Sequence, residues 1–444
     1  MRTYPLLTRT IRASLSFAVA VMALLAPTTA SAGGYDTPML YSARHMGMGG
    51  TAVGYVGDGA SLFHNPAGLG QVGRAHLLVD ISLLVGDLQA SPVAGVENVG
   101  SERTVAPAFL LGGAVRVHER VTLGLGVFPV AAAGGEYRYT RTSGTTSTDV
   151  RDSTTLNFFE ITPAIAVNID EIGLRIGASY RVTYVQLDRS RVDSPNTDRP
   201  RPDLQIKASG FDFLGFRLGL QYQPPQHPNL QLGLNYRHKT VTDVESSGVV
   251  YASYLRLPDV TATTRFVLPS RIEFGARYDI GEANAEGLFA GAVAFDFLYA
   301  FNSQNEESGF RVGGIEFVQV FDWSNEITLR LGGEYRVLDR RMPLRVGYSF
   351  DGKTGNPRFP TAFGTPAAAT HIMTAGLGYD AGPWELNIAY ARRMGSATVT
   401  QADIDAGNQE RTDNGQALCR LCGAPGNYEI TLNGLYLDFS YDWD

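Results

Sequence analysis

Residues 347–354, Gly-Tyr-Ser-Phe-Asp-Gly-Lys-Thr, match G-x-x-x-x-G-K-[ST], the loop whose backbone amides cradle nucleotide phosphates. That loop works only where a helix opens directly after it, so that the first N–H groups meet the phosphate. Gly355-Asn356-Pro357 follows here and opens no helix, so the segment is expected to be a strand end entering a loop. Gly47-Met48-Gly49-Gly50-Thr51-Ala52 fits a loosened dinucleotide fingerprint, without the strand before it or the βαβ unit after it that would give it meaning. Asp403-Ile404-Asp405-Ala406-Gly407 has part of a calcium-loop ladder, but the ladder is incomplete; incidental calcium binding in an outer loop is the weaker reading. His45 and His64 stand singly and are read as packing residues. With no G-x-S-x-G and no H-E-x-x-H, hydrolysis has no anchor, and no catalytic residue, metal or cofactor is expected.

Two further groups could carry chemistry. Cys419 and Cys422 stand in Cys-Arg-Leu-Cys, where a tight disulfide is the expectation; half a zinc site or a redox pair would need partners that are not nearby. Arg175, Arg181, Arg237 and Arg277, with Arg330 and Arg345, recur on the polar side of alternating segments, where any of them could meet a carboxylate head group. Glu273, Glu334 and Asp438 share that side, so the alternative is that these charges pair with one another.

Those arginines are placed by a period of two. Ile172, Leu174, Ile176, Ala178, Tyr180 and Val182 alternate with Gly173, Arg175, Gly177, Ser179 and Arg181, one face suited to lipid and the other to water. The same pattern recurs around residues 230–237, 271–278, 327–335, 344–351 and 435–443. Short connections, such as residues 118–120 and 169–171, alternate with long polar ones at 134–153, 188–207, 245–261, 302–320, 352–369 and 394–427. Short periplasmic turns and long outer loops give that rhythm in outer-membrane barrels. Only 18% of the 444 residues are charged, and no apolar run after residue 32 approaches the length of a spanning helix. Residues 1–32 read as an export signal, with Arg2, Arg9 and Arg12 before an apolar stretch and Ala30-Ser31-Ala32 as the cleavage site. A net charge of -7 argues against a nucleic-acid partner.

The fold expected is all-β: a transmembrane antiparallel barrel of about fourteen strands over residues 75–444, an even number as single-chain bacterial barrels have. Residues 310–321 are assigned to an outer hairpin. Such a barrel leaves a lumen wider than side chains alone fill. Residues 33–74 are read as its plug, because the glycine-rich stretch from Leu40 to Gly70 would be unstable alone. Within it Asn65 can cap a helical turn, Pro66 suits the first position, and Ala67 and Gly68 follow.

The order Asp58-Gly59-Ala60-Ser61-Leu62-Phe63-His64-Asn65-Pro66-Ala67-Gly68-Leu69 resembles the hatch of the outer-membrane long-chain fatty-acid and aromatic-hydrocarbon transporters, the FadL and TodX family. Residues 269–275, 322–325, 331–336, 344–349 and 371–379 continue the resemblance over nearly the whole mature chain. The tail departs from it, since Asp444 follows Trp443 where an aromatic would be last. The resemblance implies an outer-membrane location and passive uptake of a hydrophobic small molecule, with outer-membrane lipid and lipopolysaccharide as surroundings; a monomer is expected. It also implies a side opening at a kink in the third strand, which falls at Pro129, Ala131, Gly134 and Gly135. Pro129 removes a ladder donor there; the alternative is a strand that ends at Pro129. A general diffusion porin, or a barrel enzyme acting on lipids, is the rival function.

Overall fold

A chain that crosses lipid with strands must pair its backbone N–H and C=O groups within a sheet closed on itself. The computed structural model describes residues 41–444 apart from 247–249, 254, 258–259, 285–286, 313, 365 and 444, so the expected export signal and the start of the expected plug lie outside the described residues. Fourteen antiparallel strands form one closed wall. They are β1 (Ala75–Ala90), β2 (Thr104–His118), β3 (Val121–Ser143), β4 (Thr146–Ile169), β5 (Leu174–Asp193) and β6 (Arg201–Tyr222). Next come β7 (Leu230–Arg237, continued by Thr240–Ser246), β8 (Ala262–Leu268 and Arg271–Ile280), β9 (Gly291–Ala300) and β10 (Glu326–Val337). The last four are β11 (Met342–Asp351), β12 (Thr370–Asp380), β13 (Trp384–Val399) and β14 (Gly426–Trp443). β14 closes the wall on β1, from Trp443 opposite Ala75 to Glu429 opposite Gln89.

The two faces fall as the alternation requires. Ile81, Leu83, Ile165, Ile176, Tyr180 and Leu437 point outward and are exposed, whereas Asp80, Arg181, Arg345 and Asp438 are buried inside. In water that outward band would forfeit about 25 cal/mol for each Å² of apolar surface, a penalty that lipid removes. Among the described residues no helix is long and apolar enough to cross a membrane, so crossing falls to the strands.

Several outer connections prove to be structured. Residues 134–153 and most of 188–207, expected as loops, continue the ladders: β3 and β4 pair up to Ser143 opposite Thr146, and β5 and β6 up to Asp193 opposite Arg201. The outward face turns polar there, as at Arg138 and Thr140, while Tyr137, Tyr139 and Val150 stay buried inside, so the alternation that marks a lipid-facing strand is lost while the backbone pairing goes on. Residues Glu307–Val312 and Ile315–Val320 form the expected outer hairpin and add no spanning strand. Within 394–427 a helix, Gln401–Asp413, begins at Thr400, whose hydroxyl accepts from the Asp403 amide while the Asp403 carboxylate accepts from Thr400 N at 2.8 Å. That contact with Thr400 holds the Asp403 carboxyl below its ordinary range. The partial calcium-loop pattern is thus the capped first turns of a helix. At residues 347–354, β11 ends at Asp351 and a loop follows, with no helix to meet a phosphate.

Candidate functional site

Residues 41–72 lie inside the wall and are tied to strands around it. Tyr41 Oη donates to Pro129 O on β3 (2.7 Å), Arg44 N to Asp438 on β14 (3.1 Å), Gly49 N to Thr374 Oγ1 on β12 (3.0 Å) and Ala52 N to Asp296 on β9 (2.8 Å). Asn65 does two jobs. Its Oδ1 accepts from Ala67 N at 3.1 Å, capping the short 3-10 turn Pro66–Gln71, while its Nδ2 donates to Val53 O (2.8 Å) and to Leu220 O on β6 (3.0 Å). Asn65, Pro66, Ala67 and Gly68 are all buried. The wall makes room for them with glycine: a Cβ at Gly177 would overlap the Pro66–Ala67 backbone, and one at Gly219 would overlap Asn65 Oδ1.

The four arginines expected to meet a head group are engaged elsewhere. Arg181 Nε and Arg217 Nη2 both donate to Glu160, each at 2.8 Å, and all three side chains are buried. Arg277 pairs with Asp279 (2.8 Å) and Glu334 (3.3 Å) and lies over the Tyr55 ring of the inner segment. Arg237 donates to Pro269 O at 2.8 Å and helps to line a small cavity of about 20 Å³. Arg175 donates to Gln223 and packs beside Gly70. None of the four lines either of the two large cavities. Arg175 and Arg277 stand near the ends of their strands at the short turns, against the inner segment, and Arg277 is balanced there by wall carboxylates.

The larger cavity, about 640 Å³, lies under the outer loops between Leu187, Leu204, Phe266, Phe310, Phe321 and Phe363. The other, about 330 Å³, lies deeper, between Met46 of the inner segment, Leu84, Ala106, Ile372, Ala391 and the stretch 132–136 of β3. Ala133 and Thr154 belong to the walls of both. Arg189 and Arg191 line the outer cavity and share the Asp152 carboxylate; Arg393 lines the inner one and pairs with Asp351 at 2.8 Å. These residues were not singled out from the sequence. Arg393 could have been found, because it continues the inward parity of Asn387, Ala389 and Ala391 on β13.

The wall beside the inner cavity is incompletely paired. β2 and β3 exchange hydrogen bonds from His118 opposite Val121 up to Leu111 opposite Val127, and there the ladder stops. Above that point Thr104 to Leu110 pair only with β1, and Phe128 to Ser143 pair with β4. The sheet touches again at the Ser101–Tyr137 bridge, where Glu102 N donates to Glu136 O at 2.7 Å. Pro129 and Ala131 sit at the lower edge of this gap, with a bulge between them: Pro129 is opposite Phe159, Ala131 is opposite Phe158, and Val130 is the extra residue. The strand therefore continues past Pro129. Gly134 and Gly135 follow on the same edge, and both line the inner cavity.

Cys419 and Cys422 are joined in a disulfide with Cα atoms 5.7 Å apart. Cys422 borders the outer cavity, and Val320 N donates to Cys419 Sγ at 3.3 Å, so the staple rests on the outer hairpin. Among the described residues no group of His, Cys, Asp and Glu side chains is arranged to hold a metal ion.

The model of the outer membrane protein transport protein family (OMPP1/FadL/TodX) matches residues 23–419. The chain belongs to that family. Solved structures with the same fold include a Pseudomonas aeruginosa FadL homologue (14% identity, 94% of this chain and 100% of that one, TM-score 0.64). They also include the Pseudomonas putida toluene transporter TodX (17% identity, 91% and 98%, TM-score 0.64) and the Ralstonia pickettii toluene transporter TbuX (15%, 92% and 100%, TM-score 0.63). A search of curated proteins by sequence gave no match. This OMPP1/FadL/TodX member is an outer-membrane β-barrel of a transport family, as the sequence resemblance implied.

Proposed function

We propose that this barrel is a passive channel for hydrophobic small molecules, long-chain fatty acids or aromatic hydrocarbons being the classes at issue, and that cargo leaves sideways through the β2–β3 gap. The carrying observation is that gap: an unpaired edge of small residues, Ala132 to Gly135, faces an apolar cavity, whereas the other interruption, in the β6–β7 ladder between Ser209 and Arg217, borders neither large cavity. An alkyl chain gains about 0.8 kcal/mol per CH₂ on leaving water, so two apolar chambers in series give it somewhere to bind that an aqueous pore does not. In this reading cargo enters the outer cavity beneath the loops, passes Ala133 and Thr154, and reaches lipid from the inner cavity. Residues 41–72 act as the hatch that closes the lumen below, with the turn at Asn65, Pro66, Ala67 and Gly68 as its seat. The channel works as a monomer among outer-membrane lipid and lipopolysaccharide, without catalysis, and transport runs down the gradient.

Deleting Val130 tests the exit. Removing the one extra residue lets β3 pair with β4 without a bulge and straightens the edge that borders the gap, while keeping both faces of the strand. In vesicles carrying lipopolysaccharide in the outer leaflet, toluene uptake above protein-free vesicles should fall about tenfold for the deletion variant, with the barrel still folded by gel mobility. Undiminished uptake would refute a sideways exit. A diffusion porin would instead pass sugars readily and leave hydrophobe flux indifferent to β3.

A further inference from the structure

We infer that the inner cavity admits uncharged cargo, and that Asp351 sets this selectivity by neutralising Arg393. The inference rests on the channel reading above and narrows its substrate class. The charged side chains on the inner cavity wall are Arg393, Asp87 and Glu136. Arg393, on β13, reaches across β12 to Asp351 on β11: its Nη2 lies 2.8 Å from Asp351 Oδ2, and its Nη1 donates to Thr370 Oγ1 at 3.0 Å. Both partners are more than nine-tenths buried, at 7% and 6% side-chain exposure, so the pair is little screened by water. Asp351 is itself held by the Ser349 hydroxyl at 3.2 Å.

Among the described residues, the one cation that a carboxylate could meet in this chamber is thus already matched. The two remaining charges are carboxylates, Asp87 beside Arg103 (3.3 Å) and Glu136 beside Arg138 (2.8 Å), and both are more exposed than the buried pair. An anion entering among Leu84, Ala106, Ile372 and Ala391 would give up hydration without gaining a counter-charge, which is strongly disfavoured. An ester, alcohol or hydrocarbon of the same length loses nothing of the kind. The outer cavity differs, because Arg189, Arg191 and Arg420 line it along with Asp203 and Glu316. Its charges are mixed in sign and more numerous than those of the inner cavity, which is where the selection falls.

The experiment compares decanoate with methyl decanoate in vesicles with lipopolysaccharide in the outer leaflet and the full chain reconstituted. The wild-type protein should take up the ester about tenfold faster than the anion at a pH where the acid is ionised. Asp351→Asn leaves Arg393 without its carboxylate, so the ester-to-acid ratio should move about tenfold toward the acid. Arg393→Gln, combined with Asp351→Asn, should restore the preference for the ester. Equal uptake of acid and ester by the wild-type protein overturns the inference even if Asp351→Asn fails to fold. An unchanged ratio in a folded Asp351→Asn barrel also overturns it. Uptake of neither probe above protein-free vesicles defeats the channel reading itself, and this inference with it.

Discussion

Glu160 is the residue on which the lower lumen turns. It accepts from Arg181 and Arg217 at 2.8 Å each and is fully buried. Removing one member of a buried ion group leaves the others without compensation, which costs about 3 to 5 kcal/mol. Glu160→Gln is therefore expected to lower the urea midpoint of unfolding in detergent, whereas Glu136→Gln, at an exposed pair, should leave it nearly unchanged. The sequence placed Arg181 on the inner face but offered two fates for it, a ligand contact or a salt bridge. The choice depends on Glu160, which lies on the neighbouring strand β4, and cross-strand partners are fixed by register that no single segment carries. Asn65 was legible for the opposite reason. Its capping role needs only Pro66 and Ala67 beside it, and the structure adds its bond to Leu220 O, which only the closed wall could bring near.

Strands were legible wherever one face met lipid. β7, β8, β10, β11 and β14 cover residues 230–237, 271–278, 327–335, 344–351 and 435–443, where the period of two places them. β4 and β6 begin well before their lipid-facing alternation does, at Thr146 and Arg201, because above the bilayer the outward face no longer needs to be apolar. The helix Gln401–Asp413 was missed in the same way: its residues are polar all round, and its signal was confined to the Thr400–Asp403 cap. The lipid face can be tested on β14. Leu437, 45% exposed and opposite Ile81 and Ile388, points into the bilayer. Leu437→Arg should cost about 2 to 4 kcal/mol if it lies near the midplane, measured by unfolding in lipid vesicles. Tolerance of that change would mean the outward band does not meet lipid.

At the scale of the whole molecule, the wall and the segment inside it depend on one another. The lumen is filled by residues 41–72, whose buried side chains Tyr41, Leu62 and Leu69 pack with Leu78, Leu110 and Phe128 of the wall. A wall of fourteen strands without that filling would enclose a water-accessible bore. Deleting residues 41–70 is accordingly expected to leave a folded barrel that conducts ions in planar bilayers, against a nearly silent intact protein. Equal conductance from both would show that the segment closes nothing.

The extra residue in β3 has a meaning for how such channels diversify. Because Val130 sits outside the alternation, gaining or losing its codon changes the pairing of one edge and leaves every other side chain on its own face. Losing it would straighten the edge that borders the β2–β3 gap, so on the proposed route a one-residue change in β3 alters the exit and turns no other side chain to the wrong face. On that proposed route, a side exit can be gained or lost in such a barrel without the fold being renegotiated.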